Sequence, residues 1–235
     1  MADLTEGKES SLILKFALPM LMGNVFQQLY TIINSVIVGN YLGKTALAAV
    51  GASFPIIFML ISMLIGVATG STIVIAQYFG AKDTEKVRSA IETMYIYLFW
   101  ASIIISIIGI IFSEAIFRLT GLPEEVIPEA KTYFNIYIAG IIFAFGFNGT
   151  SAALRGLGDS KTPLYYLIAS NIANIILDLL FILVLKMGVE GAALGSIISQ
   201  GGAFLFMIFH LNRKDSLVKL QAFKLKFNKE IIFKS

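Results

Sequence analysis

Asp178 is the one acidic residue set deep in an apolar run of this sequence, inside the stretch Pro163–Leu185. At 1.5 Å per residue it lies roughly 12 Å from the Lys186 end of a helix there. A carboxylate at that depth in hydrocarbon is expensive unless it faces protein or water, and it marks a functional site by default. Asn171 and Asn174 precede it by seven and four residues, which on a helix puts all three within about 60° of one another. That face offers one ionisable group flanked by amides. Such a set can take up and release a proton, or hold sodium through its oxygens. It can equally serve as hydrogen-bond glue between helices. The residues alone leave these uses open, more evenly for the asparagines than for Asp178.

A second polar stripe lies near the N-terminus: Asn24, Gln27, Gln28, Thr31 and Ser35, with Asn34 at its edge. These fall within roughly 120° of helix surface. Gln27 and Thr31 there, and Asn171 on the other helix, are expected to line a cavity. Gly66-x-x-x-Gly70 and Gly191-x-x-x-Gly195 with Ser199 read as small-residue faces for close helix contact. Arg155-Gly-Leu-Gly-Asp-Ser-Lys-Thr-Pro163 lacks the second glycine that a phosphate loop carries before its lysine. It reads as a tight turn, with Asp159, Ser160 or Thr162 capping a helix that opens at Pro163. Glu124, Glu125 and Glu129 read as a solvated loop. There is no cysteine and only one histidine, His210, so no thiolate or histidine metal cluster is expected. Sodium at Asp178 is the one metal ion allowed for. Without paired catalytic carboxylates or a nucleophile–base set, an enzyme is not expected, nor is a bound cofactor.

The elements that must position these residues follow from composition. The 235 residues are 57% hydrophobic and 14% charged, against about 25% charged in soluble chains. A water-soluble domain is excluded. So is a disordered chain, which would be poor in aromatic and β-branched residues. The charge-free runs 16–43, 45–81, 93–113, 132–154 and 191–212, with 163–185 around Asp178, are continuously apolar. That excludes a strand barrel with its alternating pattern. Each run is long enough to cross hydrocarbon, which takes roughly 20 residues.

Lysine and arginine placement settles whether the long run 45–81 is one span or two. With six spans, fourteen of the 18 basic residues fall on one side, and Lys44, Arg118, Lys131 and Lys186 fall on the other. The positive-inside rule then puts both termini in the cytoplasm; splitting the run would send most basic loops outside. The expected spans are about 12–40, 46–79, 91–117, 132–154, 163–186 and 189–211, within a six-helix region 1–212. The net charge of +3 is thus topological and calls for no nucleic acid. A basic amphipathic connector, 213–235, suits the inner leaflet.

Several short motifs recur in order along the six spans: Gln27-Gln-Leu-Tyr30 with Val38-Gly39, Ala76-Gln-Tyr-Phe-Gly-Ala81, and Ala153-Leu-Arg-Gly-Leu-Gly-Asp-Ser-Lys-Thr-Pro163. Asn174-Ile-Ile-Leu-Asp178 and Gly191-Ala-Ala-Leu-Gly-Ser196 complete the set. Together they resemble the multidrug and toxin extrusion (MATE) transporters of the MOP superfamily. The resemblance implies an all-α, polytopic membrane protein: one six-helix lobe of a twelve-helix fold whose lobes are related by an axis along the membrane normal. It implies efflux of organic cations and other drug-like molecules from the cell, across the inner (cytoplasmic) membrane, in exchange for protons or sodium. It places Asn174, Asp178 and Ser196 at the cation site. Asn34 stands where the family usually has an aspartate, which leaves Asp178 as the acid of the site.

The implied partners are the lipid bilayer and either a second lobe after the connector or a second copy of the chain. Two alternatives stay open at this point. One is a lipid-linked saccharide flippase of the same fold; the other is a non-transporting truncated membrane fragment.

Overall fold

The structure is a computed structural model that describes residues 9–214; the connector expected beyond residue 214 lies outside them. Seven helices account for nearly all of it: α1 (Glu9–Tyr41), α2 (Lys44–Gly80), α3 (Thr84–Leu119), α4 (Ile127–Ala139), α5 (Ile141–Gly156), α6 (Lys161–Leu179) and α7 (Val189–Lys214). No strand occurs among the described residues. Gly43 (φ 90°) and Gly121 (φ 72°) take the left-handed backbone cheaply in their turns, while Lys82 (φ 58°) and Lys186 (φ 53°) take it as non-glycine residues. The turn ahead of α3 closes with Asp83 accepting the Lys86 amide at 3.1 Å. There the Lys86 ammonium holds the half-buried carboxyl of Asp83 below the usual carboxylate range.

Four helical stretches, α2, α3, α7 and α6 with its extension to Val184, are long and apolar enough to cross a membrane. A fifth crossing is a bent pair, α4 and α5, meeting at 49°. α1, whose 33 residues measure about 50 Å, is not among these apolar stretches. Its polar stripe dilutes its hydropathy, yet Leu18, Leu21, Val25, Leu29, Ile32 and Val36 all stand exposed along it. The run 45–81 folds as the single helix α2, continuous through Pro55.

The pair α4–α5 departs from the single straight span expected over 132–154. A Cβ on Gly140 would come within 2.5 Å of the Ile197 side chain of α7. The bend sits where the bare backbone rests on that isoleucine. The same device recurs at Gly146 under Phe204 and at Gly149 under Leu98, each with 2.5 Å to a hypothetical Cβ. In lipid, where apolar burial drives little association, close backbone approach is what packs helices.

The small-residue face expected at Gly66 is not used in this way, since Gly66 has nothing within 4 Å. α7 lies against α4, α5 and α6, while α1 rests on α6 and only lightly on α2. The surface carries Phe58, Met63, Trp100, Ile111, Phe112 and Phe206, all more than half exposed. That is an inside-out arrangement for water and the ordinary one for lipid.

Candidate functional site

α6 opens at Lys161, two residues ahead of Pro163, because Asp159 caps it. Its carboxylate accepts the Lys161 and Thr162 amides at 3.2 and 3.0 Å and the Thr162 hydroxyl at 2.7 Å. Of the three capping residues expected there, Asp159 provides the side chain. Nineteen residues later the helix widens into a π turn, Leu180–Val184. The wider turn starts two residues after Asp178. Such turns arise where a helix must re-aim its side chains, often beside functional groups.

Asp178 is fully buried, at 0% exposure. Asn34 of α1 donates to its Oδ2 at 2.7 Å. Its Oδ1 has no hydrogen-bond partner. None of the ion pairs among the described residues involves it. One turn earlier on α6, Asn174 is also buried. Its Nδ2 donates to Ser196 Oγ of α7 at 3.4 Å, and its Oδ1 is likewise without a partner. The Ser196 hydroxyl donates to the Ala192 carbonyl at 3.1 Å. Three helices thus bring Asn34, Asn174, Asp178 and Ser196 into one buried layer.

Chemically the layer is short of donors. Two buried oxygens, Asp178 Oδ1 and Asn174 Oδ1, lack a hydrogen, and the carboxylate lacks a counter-charge. Leaving such atoms bare is costly. A proton on the carboxyl or a monovalent cation among the oxygens removes the deficit. The oxygens available to a cation come from one carboxylate, amides and hydroxyls. No cluster of three or more His, Cys, Asp or Glu suited to a metal ion occurs among the described residues.

The other expected site residues are distributed differently. Gln27 is exposed and Thr31 half-buried on α1. The Thr31 hydroxyl donates to the Gln27 carbonyl at 3.0 Å, within its own helix. Asn171 is half-buried with its Nδ2 unpartnered; it shares the face of Asp178 without joining its hydrogen bonds.

Tyr30 belongs to the layer and was not singled out by residue type. Its hydroxyl lies 3.4 Å from the Asn34 amide and contacts Ser196. Its spacing of four from Asn34 was the available signal, since such pairs share a helix face. Tyr137 extends the layer, accepting from Gln200 Nε2 at 3.4 Å and stacking on Tyr133 with ring centroids 6.2 Å apart.

Comparison with known proteins supplies the family. YpnP of Bacillus subtilis (strain 168), a "probable multidrug resistance protein", is 37% identical over 209 residues, covering 89% of this chain and 47% of the relative. The probable multidrug resistance protein NorM of Thermotoga maritima is 30% identical over 84% of this chain and 44% of its own length. A MOP superfamily transporter from Pyrococcus furiosus superposes with a TM-score of 0.89 at 28% identity, over 97% of this chain and 50% of that one. The chain spans about half the length of the curated relatives it matches. The MatE family model matches residues 19–180. That match runs from the buried proline of α1 through every residue that α1 and α6 bring to Asp178, and the chain belongs to the MatE family.

Proposed function

We propose that the chain is the N-terminal lobe of a multidrug exporter driven by cation antiport, and that Asp178 is the acid through which ion uptake is coupled to export. The observation that carries this reading is the bare pair of oxygens. Asp178 is fully buried, one of its oxygens is held by Asn34, and the other has no partner, as has Asn174 Oδ1 one turn away. Proton or sodium fills that place, with Asn34, Asn174 and Ser196 as its surroundings.

Gln27 and Thr31 on the open side of α1, with Asn171 on α6, line the path taken by drug-like molecules and organic cations. The relatives' names, as multidrug resistance proteins, support that substrate class. Their double length supports a C-terminal lobe as the partner that closes the cavity. The lobe sits in the cell membrane with both termini on the cytoplasmic side, as the basic residues direct.

The test is Asp178→Asn in a complete two-lobe transporter carrying this sequence, reconstituted in vesicles with an imposed proton or sodium gradient. Asparagine keeps most of the interhelical hydrogen bonds, each worth about 0.6 kcal/mol on average in membrane proteins, but cannot exchange a proton. Gradient-driven drug efflux is expected to vanish while insertion and yield stay normal. Undiminished efflux would reduce Asp178 to packing. Asn174→Ala is expected to weaken ion affinity without abolishing transport.

A further inference from the structure

The four glycines of α7 differ in what a side chain there would meet. Gly202 has nothing within 4 Å. Gly191 and Gly201 face apolar side chains, with Met187 and Phe181 at 3.0 Å from one and Phe143 at 3.2 Å from the other. Gly195 alone among these four faces the polar layer. A Cβ there would collide with Asp178 Oδ1 and come within 3.3 Å of Asn174 Nδ2. That Oδ1 is the unpartnered oxygen of a carboxylate with no solvent exposure. The Asp178 side chain is therefore tied at one oxygen, to Asn34 at 2.7 Å, and lies with the other over bare α7 backbone.

We propose that Gly195 is a positioning residue for the cation site. Its missing side chain leaves the space in which the Asp178 carboxylate lies against α7, with Oδ2 on Asn34 and Oδ1 open to a proton or a monovalent cation. This rests on the reading of Asp178 as the coupling acid. A carboxylate is rigid and planar, so a methyl group that pushes Oδ1 away from α7 also draws Oδ2 from the Asn34 amide. Gly195, which the sequence pattern places in a helix-packing face, thus acts on the acid.

The test combines a stability cycle with a spectroscopic signature on the purified full chain in detergent. Gly195→Ala is expected to lower the thermal midpoint by several degrees in the parent chain and by much less in an Asp178→Ala background, where the colliding carboxylate is gone. Equal loss in both backgrounds, or no loss in the parent, overturns the proposal. If Gly195→Ala alone fails to fold, the double variant is expected to fold; its failure would also overturn the proposal.

Infrared difference spectra between acid and neutral pH are expected to show a carboxyl band in the parent that disappears in Asp178→Asn. Gly195→Ala should move that band in frequency and its midpoint by about tenfold in proton concentration, the scale of losing a hydrogen bond to a charged group. Gly202→Ala should leave both unmoved. A band unmoved by Gly195→Ala overturns the positioning role and leaves Asp178 as the coupling acid. Spectra identical in parent and Asp178→Asn overturn the reading of Asp178 itself.

Discussion

An amide at position 34 sets the charge of the polar layer. Two carboxylates as close as Asn34 and Asp178, 2.7 Å apart, cannot both ionise. An amide beside a carboxylate leaves a single negative charge and donates a hydrogen bond to it. On the function proposed above, the layer takes one proton or one monovalent ion. Asn34→Asp is therefore expected to make the purified chain hold one more proton or monovalent cation per molecule at neutral pH. Proton-uptake titration and sodium binding would detect it, and uptake equal to the parent's would contradict the one-charge picture. Much of this layer was legible in the residues. Asp178 stood out as a charge in an apolar run, with Asn174 one turn away. Helical spacing alone could not tell that Asn174 turns into the layer while Asn171 stays at its edge. That depends on where α7 crosses α6, which Ser196 and Gly195 decide from a distance in sequence.

At the scale of the elements, the glycines state where helices touch. Gly146 lies under Phe204, with 2.5 Å to a hypothetical Cβ, and Gly202 faces open space. Gly146→Ala is expected to destabilise the bundle by about 1–3 kcal/mol through overpacking. Gly202→Ala is expected to be neutral or to stabilise by up to about 1 kcal/mol through helix propensity. Thermal melts of the two variants in the same detergent check both. The all-helical, membrane-spanning character could be read from apolar run length, because hydrocarbon thickness imposes it. The bend between α4 and α5 could not. Gly140 sits in an apolar run with no proline or polar break, and its reason is Ile197, on another helix. The open position of Gly66 has the same cause in reverse. Its spacing from Gly70 suits a close contact, but no helix among the described residues reaches it.

For the whole molecule the testable property is sidedness. The chain has no cysteine, so single cysteines report cleanly. Glu125→Cys, exposed in the turn before α4, should react with an impermeant thiol reagent from outside intact cells. Lys161→Cys, exposed at the start of α6, should react only after permeabilisation. Labelling of both from one side would contradict the six-span reading. A peptide of residues 214–235, which interleaves Lys219, Lys224, Lys226, Lys229 and Lys234 with apolar residues, should bind anionic vesicles better than neutral ones. Equal binding would remove the electrostatic role of the tail.

The length of α2 has a mechanical consequence. Its 37 unbroken residues measure about 55 Å, nearly twice the roughly 30 Å of hydrocarbon that they cross. Such a rod is a lever with its fulcrum in the bilayer. A tilt of about 10° about its middle swings each tip by roughly 5 Å in opposite directions. For the export cycle proposed above, travel of that size would come from tilting one long helix, with no new fold.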